Sequence, residues 1–414
     1  MATKLVPKIA ISGGGPAGLT LGLLLHKSNI PFTIYELRQK PTKADLAKPS
    51  GMLDLHEESG LAALRECGLY NTFLTLTGEC SEAQRVANIH GNIVYADEGE
   101  LSERPEISRH ALTNLLTEHL PPGSIKYGHK LLSVKPDTKE LDFGPHGKSP
   151  FDLLIGADGA WSRARTALTD VMPHYTGTQS ITVTIPAISS KYPHLSSLIG
   201  RGSFSALGLR HGVMAQRGPA DSARIYTFLS ITDEHFPSSS GLDKLDLKSA
   251  EERILTDANL LGSFGEPLKE LFSASCAEES QGNPGLTTLP IKPLYTLPTN
   301  TTFPHNSHQD TAITLIGDAA HLMPPWAGEG VNLAMWDALL LSKAIVSAFE
   351  QSTGEPASFL SALDPLLQAF ETEMFSRVHE KTEETEANGK MLFGEDGAMA
   401  FKRFFERAYG ESRP

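Results

Sequence analysis

Glycines near the start of the chain have the types and spacing of a phosphate-binding turn. The segment 13–18 reads Gly-Gly-Gly-Pro-Ala-Gly and follows an apolar run at 8–12. Gly13 can take backbone angles closed to other residues, Gly15 lets a pyrophosphate approach the backbone, and Gly18 allows close packing of the next helix on the strand. The first N–H groups of that helix are free to face an anion. The pattern therefore predicts a strand–turn–helix unit that binds a dinucleotide.

A carboxylate at the end of the next predicted strand supports this interpretation. The run 31–36, Pro-Phe-Thr-Ile-Tyr-Glu, predicts a strand, and Glu36 lies 18 residues after Gly18. That spacing is near the one expected for an acceptor of ribose hydroxyls. The glycines alone could form an ordinary turn, but strand, helix, second strand and terminal acid occur in register. The expected contacts in this part of the cofactor site are Gly13, Gly15, Pro16, Ala17, Gly18 and Glu36.

A second motif with chemical potential begins roughly 300 residues later. The segment 317–332 opens with Gly-Asp-Ala-Ala-His directly after a predicted buried strand at 311–316. Asp318 can accept a hydrogen bond from a ribityl hydroxyl, and the N–H groups of a helix opening at 328–330 can face the electron-rich pyrimidine of a flavin. A simple loop capped by Asp318 is the alternative. We expect His321 to make a structural hydrogen bond rather than to act as acid or base.

Composition limits the class of protein. The chain has 414 residues, enough for two or three domains, and 40% of them are hydrophobic. Its net charge of −13 argues against a nucleic-acid partner, which requires a basic surface. The three cysteines lack paired spacing, and no metal-ligand spacing occurs. Since the first strand begins almost at Met1 and no long apolar span follows, we expect a cytoplasmic, non-membrane protein. We also expect a monomer, and no metal.

The order of elements predicts an α/β fold class. Strand and helix patterns alternate to about residue 75, whereas runs at 179–185 and 223–229 alternate as in an antiparallel sheet. Helical patterns return at 250–272 and after residue 328. We therefore expect a Rossmann-like FAD/NAD(P)-binding domain with an inserted antiparallel β-sheet substrate domain and C-terminal helices. The expected divisions are 1–174 and 291–350 for the two parts of the FAD-binding domain, 175–290 for the sheet domain and 351–414 for the C-terminal helices.

Three motifs together resemble the group A flavoprotein monooxygenases of the para-hydroxybenzoate hydroxylase type. They are the first glycine turn, the segment 152–165 (Asp-Leu-Leu-Ile-Gly-Ala-Asp-Gly-Ala-Trp-Ser-Arg-Ala-Arg) and the segment 317–325 (Gly-Asp-Ala-Ala-His-Leu-Met-Pro-Pro). They span most of the first 350 residues. The resemblance implies that Asp158 and Gly159 lie near the pyrophosphate and serve both FAD and NAD(P)H, while Asp318 holds the ribityl chain.

Within that class, three shorter segments look most like the tetracycline destructases, the TetX-type monooxygenases. They are 50–56 (Ser-Gly-Met-Leu-Asp-Leu-His), 105–109 (Pro-Glu-Ile-Ser-Arg) and 324–328 (Pro-Pro-Trp-Ala-Gly). By likeness Arg109 contacts the ribityl or phosphate region and Arg38 lies near the adenosine end, although either could be an ordinary surface arginine. The remaining implied cofactor contacts are Leu37, Asp54, Pro325, Gly328, Gly330, Val331 and Asn332.

Two groups of residues keep alternative interpretations. Asp54 and His56 either order the loop beside the isoalloxazine or cap a helix at Glu57. The β-rich segment aligns poorly with the subgroup, so its polar residues are substrate candidates or ordinary exposed residues. The candidate substrate contacts are Gln216, Arg210, Pro325, Trp326, Ala327 and Gly328.

The resemblance also implies a reaction. NAD(P)H, with NADPH favoured, reduces FAD, and O₂ then adds to flavin C4a to give a hydroperoxide that transfers one oxygen to an electron-rich phenol or enol, tetracyclines included. The cofactor carries the difficult chemistry, so no catalytic side chain is expected. One alternative is a monooxygenase of polyketide or aromatic secondary metabolism without tetracycline activity. Others are a reductase, a halogenase, which would carry a Trp-x-Trp-x-Ile-Pro segment absent here, and a non-catalytic flavin- or drug-binding protein.

Overall fold

The computed structural model describes residues 6–77, 83–99, 106–307 and 312–409. Positions 105 and 311, which belong to two predicted segments, and Cys80 lie outside these ranges. The strands are β1 (Ile9–Ser12), β2 (Phe32–Glu36), β3 (Met52–Asp54), β4 (Gln84–Ala87), β5 (Ile93–Asp97), β6 (Glu106–Ser108), β7 (Ile125–Tyr127), β8 (Ser133–Lys135), β9 (Glu140–Asp142), β10 (Lys148–Pro150), β11 (Leu153–Gly156), β12 (His174–Ile185), β13 (Ser203–Gly208), β14 (His211–Gly218), β15 (Ser222–Ser230), β16 (Ile291–Thr296), β17 (Asn306–Ser307) and β18 (Ala312–Leu315).

The helices are α1 (Pro16–Lys27), α2 (Lys43–Leu46), α3 (Gly60–Cys67), α4 (Tyr70–Leu74), α5 (Arg109–Glu118), α6 (Ile188–Lys191), α7 (Pro193–Ile199), α8 (Phe236–Ser239), α9 (Leu247–Thr256), α10 (Glu266–Gly282), α11 (Asp318–His321), α12 (Gly330–Gln351), α13 (Pro356–Leu392) and α14 (Gly397–Tyr409).

A mainly parallel sheet brings the sequence motifs to one edge. Within the described residues its strand order is β17-β18-β11-β1-β2-β7, and β17 alone runs antiparallel to its neighbour. Strands β1, β11 and β18 are buried along their whole length, as expected for a sheet covered on both faces. Their carboxyl ends lie at the same edge, so the loops after β1, β2, β11 and β18 meet there. The predicted α/β fold class with its Rossmann-like unit is confirmed.

A second, larger sheet lies beside this unit. Its order among the described residues is β16-β12-β15-β14-β13-β4-β5, and its pairs are antiparallel except for the parallel pair β13–β4. One face packs on α7, α9 and α10 through a core that includes Val183, Ile225 and Leu271. Strands β4, β5 and β16 join this sheet from outside the predicted range 175–290, so the sheet is assembled from three stretches of chain. The domain boundaries stay a prediction.

The predicted helical pattern at 250–272 is interrupted. The structure has two helices, α9 and α10, because the chain turns between Asp257 and Gly265. Pro267 stands in the first turn of α10, where a proline's missing N–H costs nothing. The periodicity of apolar residues does not reveal the break between α9 and α10, because the apolar positions of both helices face the same core.

The C-terminal helices contact both sheets. Helix α12 packs against α1, α3 and α13. By length and composition α12 could cross a membrane, but 61% of its most apolar window is buried inside the protein. Helix α13 follows α12 and leads to α14, which packs on β13, β4 and β5. Helix α13 thus runs from the first sheet to the second.

Candidate flavin site

The first glycine turn is tight at two positions and open at a third. Gly13 has φ +115° and donates its N–H to the Tyr35 carbonyl at 2.8 Å, and a side chain there would place Cβ 2.1 Å from the Ala157 oxygen. A Cβ at Gly18 would lie 2.1 Å from the Gly13 oxygen. At Gly15 a Cβ would meet no described atom within 4 Å. The geometry matches the expected roles, and the free space lies where a pyrophosphate would approach.

Helix α1 presents its N-terminus to this space. It begins at Pro16 with Gly15 as N-cap, and no described side chain caps it. The N–H groups of the first turn, including that of Ala17, therefore have the partial positive charge that favours a phosphate.

Glu36 is fixed beside the turn. Its carboxylate is buried and accepts the N–H groups of Gly14 at 2.7 Å and Arg38 at 2.8 Å. Each oxygen keeps acceptor capacity for a ribose hydroxyl. Leu37 and Arg38 follow as exposed residues. They border the place where the predicted adenosine end would lie.

The loop after β11 is organised by Asp158. Its carboxylate accepts hydrogen bonds from the Ser162 hydroxyl at 2.5 Å and the Arg163 N–H at 2.8 Å. Burial raises the pKa of Asp158 although these donors oppose the shift. Gly159 has φ +80°, and a Cβ there would meet no described atom within 4 Å. Asp158 therefore shapes the loop, while Gly159 leaves its surface open.

Arg165, whose structural role the sequence did not reveal, joins two of the motif loops. This buried guanidinium donates to the Ala160 carbonyl at 2.6 Å and to the Ala319 carbonyl at 2.9 Å. Burial lowers the pKa of Arg165. The signal in the sequence is an arginine in the segment that follows a buried strand. If such an arginine is buried, it needs partners, since charged residues are rarely buried without them.

Asp318 lies in an accessible recess. Its side chain is exposed to solvent, yet burial raises its pKa, against the opposing charges of His321 and Arg109. These observations describe a carboxylate at the bottom of a concave space. Among the described residues none hydrogen-bonds to it. The predicted alternative, a carboxylate that caps its own loop, is not observed.

The residue that fixes the Asp318 loop is Asp337, a fully buried side chain of α12. Its carboxylate accepts hydrogen bonds from the Gly317 N–H at 2.9 Å, His321 Nε2 at 2.5 Å and Arg377 Nη2 at 2.7 Å. Burial would raise the pKa of Asp337, but His321 and Arg377 lower it below its usual range. The structural role predicted for His321 is confirmed. Asp337 was missed, although a lone acid inside an apolar helix signals a buried partner.

Asn332 is fully buried and uses its side chain within the protein. Its Oδ1 accepts from the His56 N–H at 2.8 Å and the Ser59 hydroxyl at 3.3 Å, and its Nδ2 donates to the Asp54 carbonyl at 2.9 Å. This amide thus fastens the segment 54–59 to the start of α12. For the predicted cofactor contact of Asn332, the backbone remains available.

The start of α12 is open. The 3₁₀ turn Pro325–Ala327 leads into Gly328 with φ +70°, and a Cβ at Gly328 or Gly330 would meet no described atom within 4 Å. No described side chain caps the helix, so the N–H groups of its first turn, which includes Val331, face this space. Pro325 and Gly328 are exposed.

An ionic cluster borders the same helix start. Glu329 lies 3.5 Å from His56 Nδ1 and 2.7 Å from Lys381 Nζ, and Asp54 lies 3.8 Å from His56 Nε2. Glu329 raises the pKa of His56 against the effect of burial. No helix begins at Glu57, since α3 begins at Gly60. The capping interpretation of Asp54 and His56 is therefore wrong, and both residues lie beside the start of α12, Asp54 at the end of β3 and His56 in the loop after it.

An aromatic wall, formed by Tyr226, Phe228, Trp326 and Phe393, joins the second sheet to the motif loop. Phe228 lies 4.7 Å from Trp326 and 5.8 Å from Phe393 between ring centroids, with edge-to-face geometry, and Trp326 lies 4.8 Å from Phe393. Tyr226 stacks at 6.3 Å from Phe228. Burial raises the pKa values of Tyr226 and Asp318, and the charge of Arg109 opposes both shifts.

The two sheet residues predicted as substrate contacts lie apart. Gln216 on β14 donates to Glu106 of β6 at 3.3 Å. Arg210 is exposed in the turn between β13 and β14, with its N–H 3.3 Å from the Gly394 carbonyl. Gln216 is thus near the ribbon β3–β6, whereas the Arg210 backbone contacts the residue that follows Phe393 of the aromatic wall. Trp326 and Ala327 lie in the motif loop itself.

These groups fit FAD. The open glycine turn and helix α1 suit the pyrophosphate, Glu36 the ribose, Asp318 the ribityl hydroxyls, and the uncapped α12 start an electron-rich pyrimidine. Bound there, FAD would supply electron transfer from a nicotinamide and activation of O₂.

Comparisons with known proteins agree with this geometry. A family model described as "FAD binding domain" matches residues 7–259 and 274–359. Monooxygenase penA of Penicillium thymicola is 33% identical over 94% of this chain and 96% of its own. Klebsiella pneumoniae HpxO, solved with FAD and uric acid, superposes with a TM-score of 0.73 at 16% identity, covering 98% of this chain and 93% of that one. The tetracycline destructase Tet(51) gives 0.63 at 16%, covering 96% and 98%.

The two structural likenesses show the fold, while the family model and the relative show the family. The chain belongs to the FAD-dependent monooxygenases of the para-hydroxybenzoate hydroxylase type, whose FAD binding domain it carries.

Proposed function

We propose that this monooxygenase hydroxylates an electron-rich phenol or enol of a polycyclic or polyketide type, with O₂ as the oxygen source and NADPH as the reductant. The observation that carries the proposal is the continuity of one loop. Between Asp318 and Gly328 the chain passes from the accessible carboxylate recess to Trp326 in the aromatic wall. A ring held at the wall would therefore be next to the cofactor site.

The chain's own residues have limited but necessary tasks. Glu36 and Asp318 bind hydroxyl groups, and the two helix starts stabilise negative charge. Tyr226, Phe228 and Trp326 offer apolar faces that exclude water and orient a flat ring by edge-to-face contact. None of these tasks requires a side-chain nucleophile.

The proposed substrate class has two supports. The aromatic wall suits a fused ring better than an open-chain molecule. HpxO, which shares the fold, is described in complex with uric acid, an electron-rich fused ring. Tetracyclines are the second candidate, favoured by the fold shared with Tet(51) and by the Pro-Pro-Trp-Ala-Gly loop at 324–328. The predicted cytoplasmic location and monomeric state stay predictions.

NADPH consumption by the FAD-loaded protein tests the proposal. It should rise when phenolic polyketides or tetracyclines are added, and mass spectrometry should find a product with one added oxygen. Trp326→Ala should lower product formation by up to about tenfold, the loss of one aromatic pair. Phe404→Ala, which removes an exposed ring on α14, is the matched control and should change nothing. Equal activity of the two variants would remove Trp326 from the substrate site.

A further inference from the structure

One face of helix α13 carries residues at a regular helical spacing. Arg377, Lys381 and Thr385 follow one another by four residues, and Asn388 and Gly389 come one turn later. Positions spaced by three and four residues lie on the same side of a helix. We call this set the α13 stripe.

Each member of the stripe contacts the segment that follows β18. Arg377 Nη2 lies 2.7 Å from Asp337 Oδ1, and Lys381 Nζ lies 2.7 Å from Glu329 Oε1. The other contacts are Thr385 Oγ1 to Met323 Sδ at 3.6 Å, Asn388 Nδ2 to the Trp326 carbonyl at 3.2 Å, and Gly389, where a Cβ would lie 2.9 Å from Trp326 Cδ1. One helix face therefore follows the motif loop from its beginning to the aromatic wall.

The Arg377 contact is the most buried of these. Its side chain is 8% exposed and its guanidinium lies 4.5 Å above the Trp336 ring centroid. Asp337, its partner, also holds the Gly317 N–H and His321. A shift of Arg377 would thus reach the residue before Asp318 through a single intervening side chain.

The Lys381 contact acts at the other end of the loop. Glu329 is the N-cap residue of α12 and also faces His56. Without Lys381 the Glu329 carboxylate would keep the longer contact with His56, and the positive end of the helix dipole would compete for its charge. Lys381 therefore adds a second, shorter contact that holds this charge beside the helix start.

The family model ends at residue 359, so the whole stripe lies beyond it. Their contact partners Met323, Trp326, Glu329 and Asp337 all lie within it. The contacts consequently join a part of the chain that the family description covers to one that it does not.

We propose that the α13 stripe is a positioning element that sets the geometry of the flavin loop, with Arg377 acting through Asp337 and Lys381 acting through Glu329. The stripe preorganises Asp318 and the start of α12 before FAD binds, which lowers the ordering cost of binding. Arg377 and Lys381 are positioning residues, since neither needs to touch the cofactor.

The experiment compares Arg377→Met and Lys381→Met with Lys390→Met, which removes an exposed charge from the same helix. The full-length apoprotein is titrated with FAD, and the visible circular dichroism of the bound flavin is recorded. Arg377→Met should weaken FAD binding about tenfold, the loss of one charged hydrogen bond, and Lys381→Met about threefold. Both should change the flavin dichroism. Arg377→Lys, which keeps the charge, should recover part of the lost affinity.

A packing role alone would give another result. It would lower the melting temperature of the apoprotein while the FAD affinity and flavin dichroism of the folded protein stayed at the Lys390→Met values, and that result would overturn the proposal. Lys381 is partly exposed, so its variant should fold even if Arg377→Met does not. The readout is FAD binding, so the outcome is independent of the proposed substrate.

Discussion

Two glycines of one turn tolerate a methyl group very differently. Gly15→Ala should leave the melting temperature unchanged, since its Cβ enters open space, but it should weaken FAD binding because that space suits the pyrophosphate. Gly13→Ala should destabilise the fold by at least about 2 kcal/mol, because of its positive φ and the clash with Ala157. Thermal melts and FAD titrations of both variants check this. A Gly15→Ala protein with wild-type affinity would place the phosphates elsewhere.

The recess around Asp318 has opposite consequences for binding and stability. Asp318→Ala should lower FAD affinity about tenfold, as one hydrogen bond to a charged acceptor is lost. The raised pKa of Asp318 means that its ionised form is disfavoured in the fold, so stability decreases as pH rises above the ordinary value of 3.8. The apoprotein variant should therefore melt at or above the wild-type temperature at pH 7.

The control for that change is Asp243→Ala, an exposed aspartate in the 3₁₀ turn Leu242–Lys244. It should leave both FAD affinity and melting temperature unchanged. Unchanged FAD occupancy in Asp318→Ala itself would contradict the assignment of this carboxylate to the ribityl chain.

At the scale of single residues, the sequence predicts what is local. The predictions for Gly13, Gly15 and Glu36 rest on a local pattern, because the turn and its acid lie within one strand–helix–strand unit. Asp337 was not, because its partner Arg377 is 40 residues away on another helix. The spacing of residues along the chain does not predict the contact between Asp337 and Arg377.

At the scale of elements, a charged cluster fastens α13 to the edge of the parallel sheet. His305, just before β17, lies 2.7 Å from Glu371 and 2.8 Å from Asp364, and Glu371 also accepts the Thr314 hydroxyl of β18. Burial would lower the pKa of His305, but the two carboxylates raise it above its ordinary 6.5. The stabilisation is therefore complete below pH 6.5 and is lost as pH rises through the raised pKa.

His305→Gln should consequently lower the melting temperature more at pH 6 than at pH 9. Melts at the two values, with wild type measured beside the variant, provide the check. An equal loss at both would mean that the imidazole contributes by shape and neutral hydrogen bonds rather than by charge.

Elements that depend on a local sequence pattern can be predicted from the sequence to within a few residues. Elements that depend on pairing between distant parts of the chain cannot. Helix α1 follows the predicted glycine turn directly and begins at Pro16. The pair β13–β4 joins strands more than a hundred residues apart, which no periodicity reveals. The break between α9 and α10 was also missed, because both helices bury their apolar faces in one core.

At the scale of the whole molecule, the chain places two sheets around one loop. The parallel sheet supplies the cofactor-binding edge, the larger sheet supplies the aromatic wall, and α13 connects both to the loop after β18. This arrangement accounts for an oxygenation that needs a held cofactor, an oriented ring and little water, and it requires no acid–base residue in the described chain.

The most direct test of the proposed oxygenation is a turnover of the FAD-loaded protein with NADPH under isotopically heavy O₂, using the phenolic or tetracycline compound that stimulates NADPH consumption most. The account predicts a product that carries one heavy oxygen atom, formed in step with NADPH consumption. A product without heavy oxygen would contradict it and would indicate hydride transfer, the chemistry of a reductase. NADPH consumption that yields only hydrogen peroxide with every such compound would contradict the proposed substrate class.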